Sequence, residues 1–290
     1  MRQQLLVYSG YLEVVEYPGV VVYNDILVKP LYVYISDLER GILRGDIPFS
    51  KPIVLGSTGV VRVVEVMSGS TEYTGKVYTV SPLGSRGVLG VEENGLLASF
   101  TSLHSSYLDE PLVNPVPQDS LRPLVKHSVE LAQLAGEPVL VEGCGILGIA
   151  TGLALRYLGV EPTFYCEEAR RNALIYDFTT ASHISELSSK WRTVVVTSVD
   201  AASKYRVLFN TEYSKLIISR LSFTTWIPLK KSQSSLEILV GHRGDRAEPS
   251  IVKRVVNEVG RHIKVHALSN LENSRGLFPP RGLGSILSLD

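Results

Sequence analysis

Ten consecutive residues, Val139-Leu-Val-Glu-Gly-Cys-Gly-Ile-Leu-Gly148, restrict this chain more than any others do. They read as an apolar strand, a G-x-G-x-x-G turn and the start of an Ala- and Leu-rich helix over residues 146–157. Each glycine has its own job in such a turn. Gly143 permits the tight bend, Gly145 lets backbone approach a pyrophosphate, and Gly148 lets helix and strand pack closely. The helix start, with Ile146 and Leu147, turns its first N–H groups and a positive dipole end toward the phosphates. The triplet alone is a weak signal, and its context strengthens it. A second strand, residues 163–166, leads into Glu167, which lies 19 positions beyond Gly148. That is close to the roughly 20 at which a carboxylate meets the ribose hydroxyls of a dinucleotide.

The surrounding pattern agrees. From residue 139 onward, strands at 139–142, 163–166, 193–197, 215–219 and 236–240 are interleaved with helical stretches at 146–157 and 169–179. Such alternation implies a parallel sheet covered on both faces, a Rossmann-type doubly wound domain. A helix is expected over 120–135 before it and another over 250–259 after it. The Gly- and Pro-rich tail, 276–290, is expected to be irregular. Two other readings stay open. The glycines could serve only a tight βαβ turn, or the domain could be methyltransferase-like, with a similar loop and acid.

The first third of the chain is different. Val, Tyr and Ile form short runs at 5–8, 11–15, 20–23, 26–35, 73–80 and 96–103, with turn residues between them. Residues 59–67 are nearly continuous Val, as in a strand buried on both faces. Many short strands of this kind make a barrel or a sandwich.

Composition excludes several partners. Lys plus Arg and Asp plus Glu are 29 each, so no basic nucleic-acid footprint is expected. No apolar run reaches the roughly 18 residues of a membrane span, and the first ten residues lack the features of a signal peptide. A soluble cytoplasmic protein follows as the expectation. With two cysteines in 290 residues, neither a disulfide framework nor a Cys-rich zinc lobe is expected. Cys144 reads as a small residue in the glycine loop, with a thiol that a helix N-terminus would acidify. His104, His127 and His183 show no metal-ligand spacing.

Several segments resemble the medium-chain dehydrogenase/reductases, the superfamily of the zinc alcohol dehydrogenases. Ser36-Asp-Leu38, Arg44-Gly-Asp46 and Pro52-Ile-Val-Leu-Gly56 resemble that family's Cys-Gly-Ser-Asp-Leu, Arg-Gly and Pro-Ile-x-x-Gly-His-Glu segments. Ser81-Pro-Leu-Gly-Ser85 and Arg122-Pro-Leu124 match the stretches before the structural zinc lobe and the Rossmann strand. The resemblance implies a GroES-like β-barrel over residues 1–118, a Rossmann domain over 119–243 and a segment, 244–290, that returns to the barrel. It also implies a homodimer or homotetramer acting on a small-molecule substrate.

The departures are as informative. Tyr34 stands where the family has its first catalytic zinc ligand, a Cys. Ser57 and Thr58 replace the His and Glu of Gly-His-Glu, and Arg122 replaces the Glu of Glu-Pro-Leu. None of these is a usual zinc ligand. The stretch after Ser85 lacks the cysteines of the structural lobe. No zinc is expected at either place. Another electrophile would then have to polarise a carbonyl. Ser36 matches the family's proton-relaying hydroxyl, Tyr34 would donate a hydrogen bond, and Arg122 would supply positive charge. Each also has a plain reading: Ser36 as a helix cap, Tyr34 as a core aromatic, Arg122 as an exposed first-turn residue.

The expected cofactor is NAD, because the carboxylate of Glu167 repels a 2′-phosphate. NADP stays open, since Arg170 or Arg171 could reach one. The resulting expectation is a zinc-independent NAD(P)-dependent oxidoreductase. A non-catalytic relative that binds NAD(H) as a ligand or sensor is the alternative.

Overall fold

Strand-forming residues dominate the first hundred positions, and they pair as two main sheets in the computed structural model, which describes residues 3–19, 22, 25–49, 52–67, 71–228, 236–241 and 243–289. The chain divides into two units: Met1–Pro123 with Ile263–Asp290, and Leu124–His262.

In the first unit, β1 (Gln3–Tyr8) and β2 (Leu12–Tyr17) form an antiparallel hairpin. After β3 (Ile26–Ile35) come helix α1 (Asp37–Arg44) and β4 (Ile53–Val54), and β4 pairs with β1. Next are β5 (Thr58–Val66), β6 (Val77–Val80), the small hairpin of β7 (Leu83–Gly84) and β8 (Gly87–Val88), β9 (Thr101–Leu103) and β10 (Leu108–Leu112).

Three strand expectations change here. β5 is buried on both faces only as far as Val61; beyond it, Arg62, Val64 and Glu65 are exposed. The runs at 73–80 and 96–103 shrink to β6 and β9. Tyr73 closes a 3₁₀ turn, and the amides of Leu96 and Leu97 bond to the loop carbonyls of Gly56 and Leu55. The strand expected at 20–23 falls on residues of which only Val22 is described.

The second unit is the parallel sheet. Helix α2 (Arg122–Leu134) leads into β11 (Val139–Glu142), α3 (Ile146–Tyr157), β12 (Thr163–Tyr165), α4 (Arg170–Leu174) and β13 (Thr179–Ala181). Then follow β14 (Lys190–Val196), α5 (Ala201–Asn210), β15 (Glu212–Ile218), β16 (Glu237–Val240) and α6 (Pro249–Gly260). All neighbours pair in parallel, in the order β13-β12-β11-β14-β15-β16. The helix expected over 169–179 is only α4. Ala169 and Asp177 both take left-handed φ, 57° and 55°, which bounds the helix and lets β13 form. α5 begins at Asp200, whose carboxylate accepts from the amides of Ala202 and Ser203. Val194, Val196, Val207, Leu208 and Leu216 make the core between α5 and the sheet.

The tail, expected to be irregular over 276–290, contains a strand at residues 285–289. β17 (Lys264–Leu268) and β18 (Ser285–Leu289) return to the first unit. β18 lies inside the larger sheet, antiparallel to β3 and parallel to β17. Burial of Ile286 and Leu287 there outweighs the Gly- and Pro-rich approach to the strand. Among the described residues no helix is long and apolar enough to cross a membrane.

Candidate functional site: the glycine loop between β11 and α3

Chain order reverses between β11 and β14, and in open α/β sheets such a switch point opens a crevice at the carboxyl ends of the strands. Glu142 ends β11 at this place. Gly143 follows with φ 99°, a conformation that side chains oppose. Its amide donates to the Tyr165 carbonyl at 3.1 Å. Gly145 caps α3 and offers no side chain to its amides. A Cβ on Gly148 would run into the Gly143 carbonyl. Ile146 and Leu147 are buried in the first turn of α3, and the Leu147 carbonyl accepts from Ser128 Oγ at 3.2 Å. Thr197, just after β14, closes the other wall: its amide and Oγ1 donate to the Glu142 carbonyl at 3.1 and 2.6 Å.

Glu167 stands two residues past β12. Its Oε1 accepts from the Tyr165 hydroxyl at 2.6 Å, and its Oε2 is paired with the Arg206 guanidinium from α5. Burial, and then the carboxylate beside it, push the Tyr165 hydroxyl above the usual tyrosine range. Arg170 bends away from this place onto Thr180 and Ser182. Arg171 is exposed on the first turn of α4.

Three features of this site escaped the sequence. Cys144 and Cys166 are bonded to each other, with Cα atoms 5.5 Å apart, which corrects the expectation of unpaired cysteines. Residues 22 apart meet because β11 and β12 are parallel neighbours. Arg206 is the second, and Glu142 is the third. The Glu142 carboxylate accepts from Ser198 Oγ at 2.6 Å, from the Ser198 amide at 3.3 Å and from Ser203 Oγ. Burial pushes this carboxyl above the ordinary range, against the pull of Ser198, Ser203 and Lys204. Lys204 is itself fully buried, with its amine on the Ser222 carbonyl at 2.9 Å and on Thr225 Oγ1. Burial brings its pKa down to about 8, opposed by Glu142 and Asp200. The visible signal for this network was one acid in the apolar run Val139-Leu-Val-Glu142.

The catalytic candidates lie in the first unit. The positions that would hold zinc ligands do come together: Tyr34 faces Thr58 in the β3–β5 register, next to Ser57. Their donors are already used. Tyr34 is fully buried and its hydroxyl donates to the Leu283 carbonyl. Thr58 Oγ1 donates to the Val80 carbonyl at 2.6 Å. Ser57 donates to Glu39 through both its amide and its hydroxyl, at 2.9 and 2.8 Å. Ser36 is the N-cap of α1, in a capping box with Glu39, whose Oε2 accepts from the Ser36 amide at 2.7 Å. Burial pushes the Glu39 carboxyl upward, although Ser36 and Ser57 oppose it. Hydroxyls of Tyr, Ser and Thr are not usual zinc donors, so this set does not suit the metal. Arg122 meets Glu110 at 3.1 Å and Asp119 at 3.4 Å, so its charge is compensated locally.

The sequence matches no protein-family model and no curated protein. Solved structures do match the whole fold. A thermostable alcohol dehydrogenase from Pyrobaculum aerophilum is 15% identical, with TM-score 0.72 over 99% of this chain and 100% of that one. Acetophenone reductase from Geotrichum candidum, in complex with NAD, is 15% identical, with TM-score 0.71 over 99% of this chain and 97% of that one. TarJ from S. aureus, in complex with NADPH, is 13% identical, with TM-score 0.66 over 100% of both. The fold is that of the alcohol dehydrogenase-type oxidoreductases. At these identities the likeness extends to the fold.

Proposed function

We propose that this chain binds NAD(P) at the glycine loop and acts as a zinc-independent oxidoreductase on a small carbonyl or alcohol substrate. The carrying observation is the loop itself. Gly143 has a left-handed backbone, Gly148 has no room for a Cβ, and Gly145 is the N-cap of α3; the three sit at the switch point of the parallel sheet. Gly143, Gly145 and Gly148 would cradle the pyrophosphate with the start of α3, and Glu167 would take the ribose hydroxyls. The nicotinamide, when bound, supplies a hydride donor or acceptor. The reading includes a GroES-like barrel in the first unit and a cytoplasmic homodimer or homotetramer, as in the resembled family.

A second reading is favoured by one specific observation. Tyr34, Ser36 and Arg122 all spend their polar atoms inside the first unit. A protein that binds NAD(H) as a ligand or sensor needs none of them.

Fluorescence titration with NADH and NADPH, with metal content measured on the same sample, tests both. Saturable binding that is lost in Gly145→Asp supports the nucleotide site. Binding without turnover across a panel of aldehydes, ketones and alcohols favours the sensor. Failure to bind either nucleotide sinks the proposal.

A further inference from the structure

Cys144 lies between the first two glycines of the loop, and Cys166 lies between β12 and Glu167. The chain has no third cysteine, and these two are bonded. The bridge closes residues 144–166, a stretch that holds all of α3 and β12. It therefore ties the loop that would cradle a pyrophosphate to the strand end that carries the ribose carboxylate. A second tie lies beside it: Asn172 Nδ2, on α4, donates to the Cys144 carbonyl at 2.9 Å. Both cysteines are buried.

We propose that Cys144 and Cys166 are a positioning pair for the dinucleotide, and that their redox state sets its affinity. The inference rests on the nucleotide reading above. In the oxidised protein, the spacing between loop and Glu167 is fixed before the ligand arrives, so less ordering free energy is lost on binding. In the reduced protein that spacing is released. Oxidation runs by exchange with a small-molecule or protein disulfide. The Cys144–Cys166 bond forms as the partner's S–S bond breaks, and two electrons and two protons pass to the partner as two thiols. A dithiol reverses the step.

The test compares NADH affinity of the whole protein before and after reduction, at a temperature where far-UV circular dichroism is unchanged. Mass spectrometry after alkylation reports the redox state. Affinity is expected to fall about fivefold or more on reduction and to recover on reoxidation with oxidised glutathione. Cys144→Ser and Cys166→Ser should each bind like the reduced protein and ignore the reductant. Adenosine, which reaches only the Glu167 side, should compete equally well in both states. A general loosening of the fold would weaken both ligands together and would overturn the proposal. Equal NADH affinity in both redox states overturns it as well, while leaving the nucleotide reading intact. No NADH binding in either state removes that reading, and this inference with it.

Discussion

Ser57 gives Glu39 two hydrogen bonds, from its amide and its hydroxyl, to the same carboxylate oxygen at 2.9 and 2.8 Å. The other oxygen holds the N-cap of α1 through the Ser36 amide at 2.7 Å. One buried acid thus fixes the start of a helix to the loop before β5. Glu39→Gln would turn an amide donor toward one of these donors. It should cost about 3 kcal/mol, and Ser57→Ala about 1–2 kcal/mol, read as losses in urea-unfolding free energy. Burial holds the Glu39 carboxyl above its ordinary 4.5, so the folded protein keeps this proton to higher pH than the unfolded chain. This group's contribution to stability therefore declines as pH rises from 4.5. An unfolding free energy unmoved by either substitution would show that the tie is unimportant.

Gly148→Ala should damage fold and site together. The added Cβ meets the rigid Gly143 carbonyl, with no flexible side chain to give way. Overpacking of this kind costs about 1–3 kcal/mol. NADH binding should weaken in parallel, because the same shift displaces the loop. A variant with wild-type thermal midpoint and NADH affinity would contradict the loop geometry.

Lys204 predicts a pH dependence of the opposite sign. Its folded pKa is about 8 against an ordinary 10.5, mainly because it is buried. Between these values the unfolded chain binds the extra proton, so stability rises with pH through that window, by up to roughly 3 kcal/mol. Below about 8 both states are protonated and this group adds no slope. Lys204→Met should abolish the rise when unfolding is followed from pH 7.5 to 10.5. An unchanged slope in the variant would assign it to other groups.

Arg206 predicts nucleotide preference. Paired with Glu167, it offsets the carboxylate charge that would repel a 2′-phosphate. Arg206→Ala should raise discrimination against NADPH relative to NADH by about tenfold. Identical ratios in variant and wild type would mean that the pair does not act on the ribose.

The β11–α3 segment was legible because every local demand there points the same way. An apolar strand, three glycines and a small-residue helix need no distant partner to be recognised. Glu167 was named from its spacing to the glycine loop. Its partner Arg206 was not, because the two lie 39 positions apart and meet only after α5 packs on the sheet. The bonded cysteines were hidden for the same reason. Tyr34, Ser57 and Thr58 were placed together correctly by resemblance, yet their use as interior donors depends on Leu283, Glu39 and Val80, which no motif names. β18 was missed because local Gly and Pro content masked two buried residues, Ile286 and Leu287.

The place of β18 has a consequence for how the molecule comes to be. The first unit's larger sheet is interrupted between β3 and β17 until residues 285–289 are present. The second unit, Leu124–His262, needs nothing from outside its own continuous stretch to complete its sheet. During synthesis, the parallel sheet can therefore be completed while β3 still lacks its β18 neighbour. Pairing across such a long separation is slow. Residues 32–35 of β3 lack their β18 partner through this interval, which is the period of greatest risk for misassembly, until residues 285–289 join them.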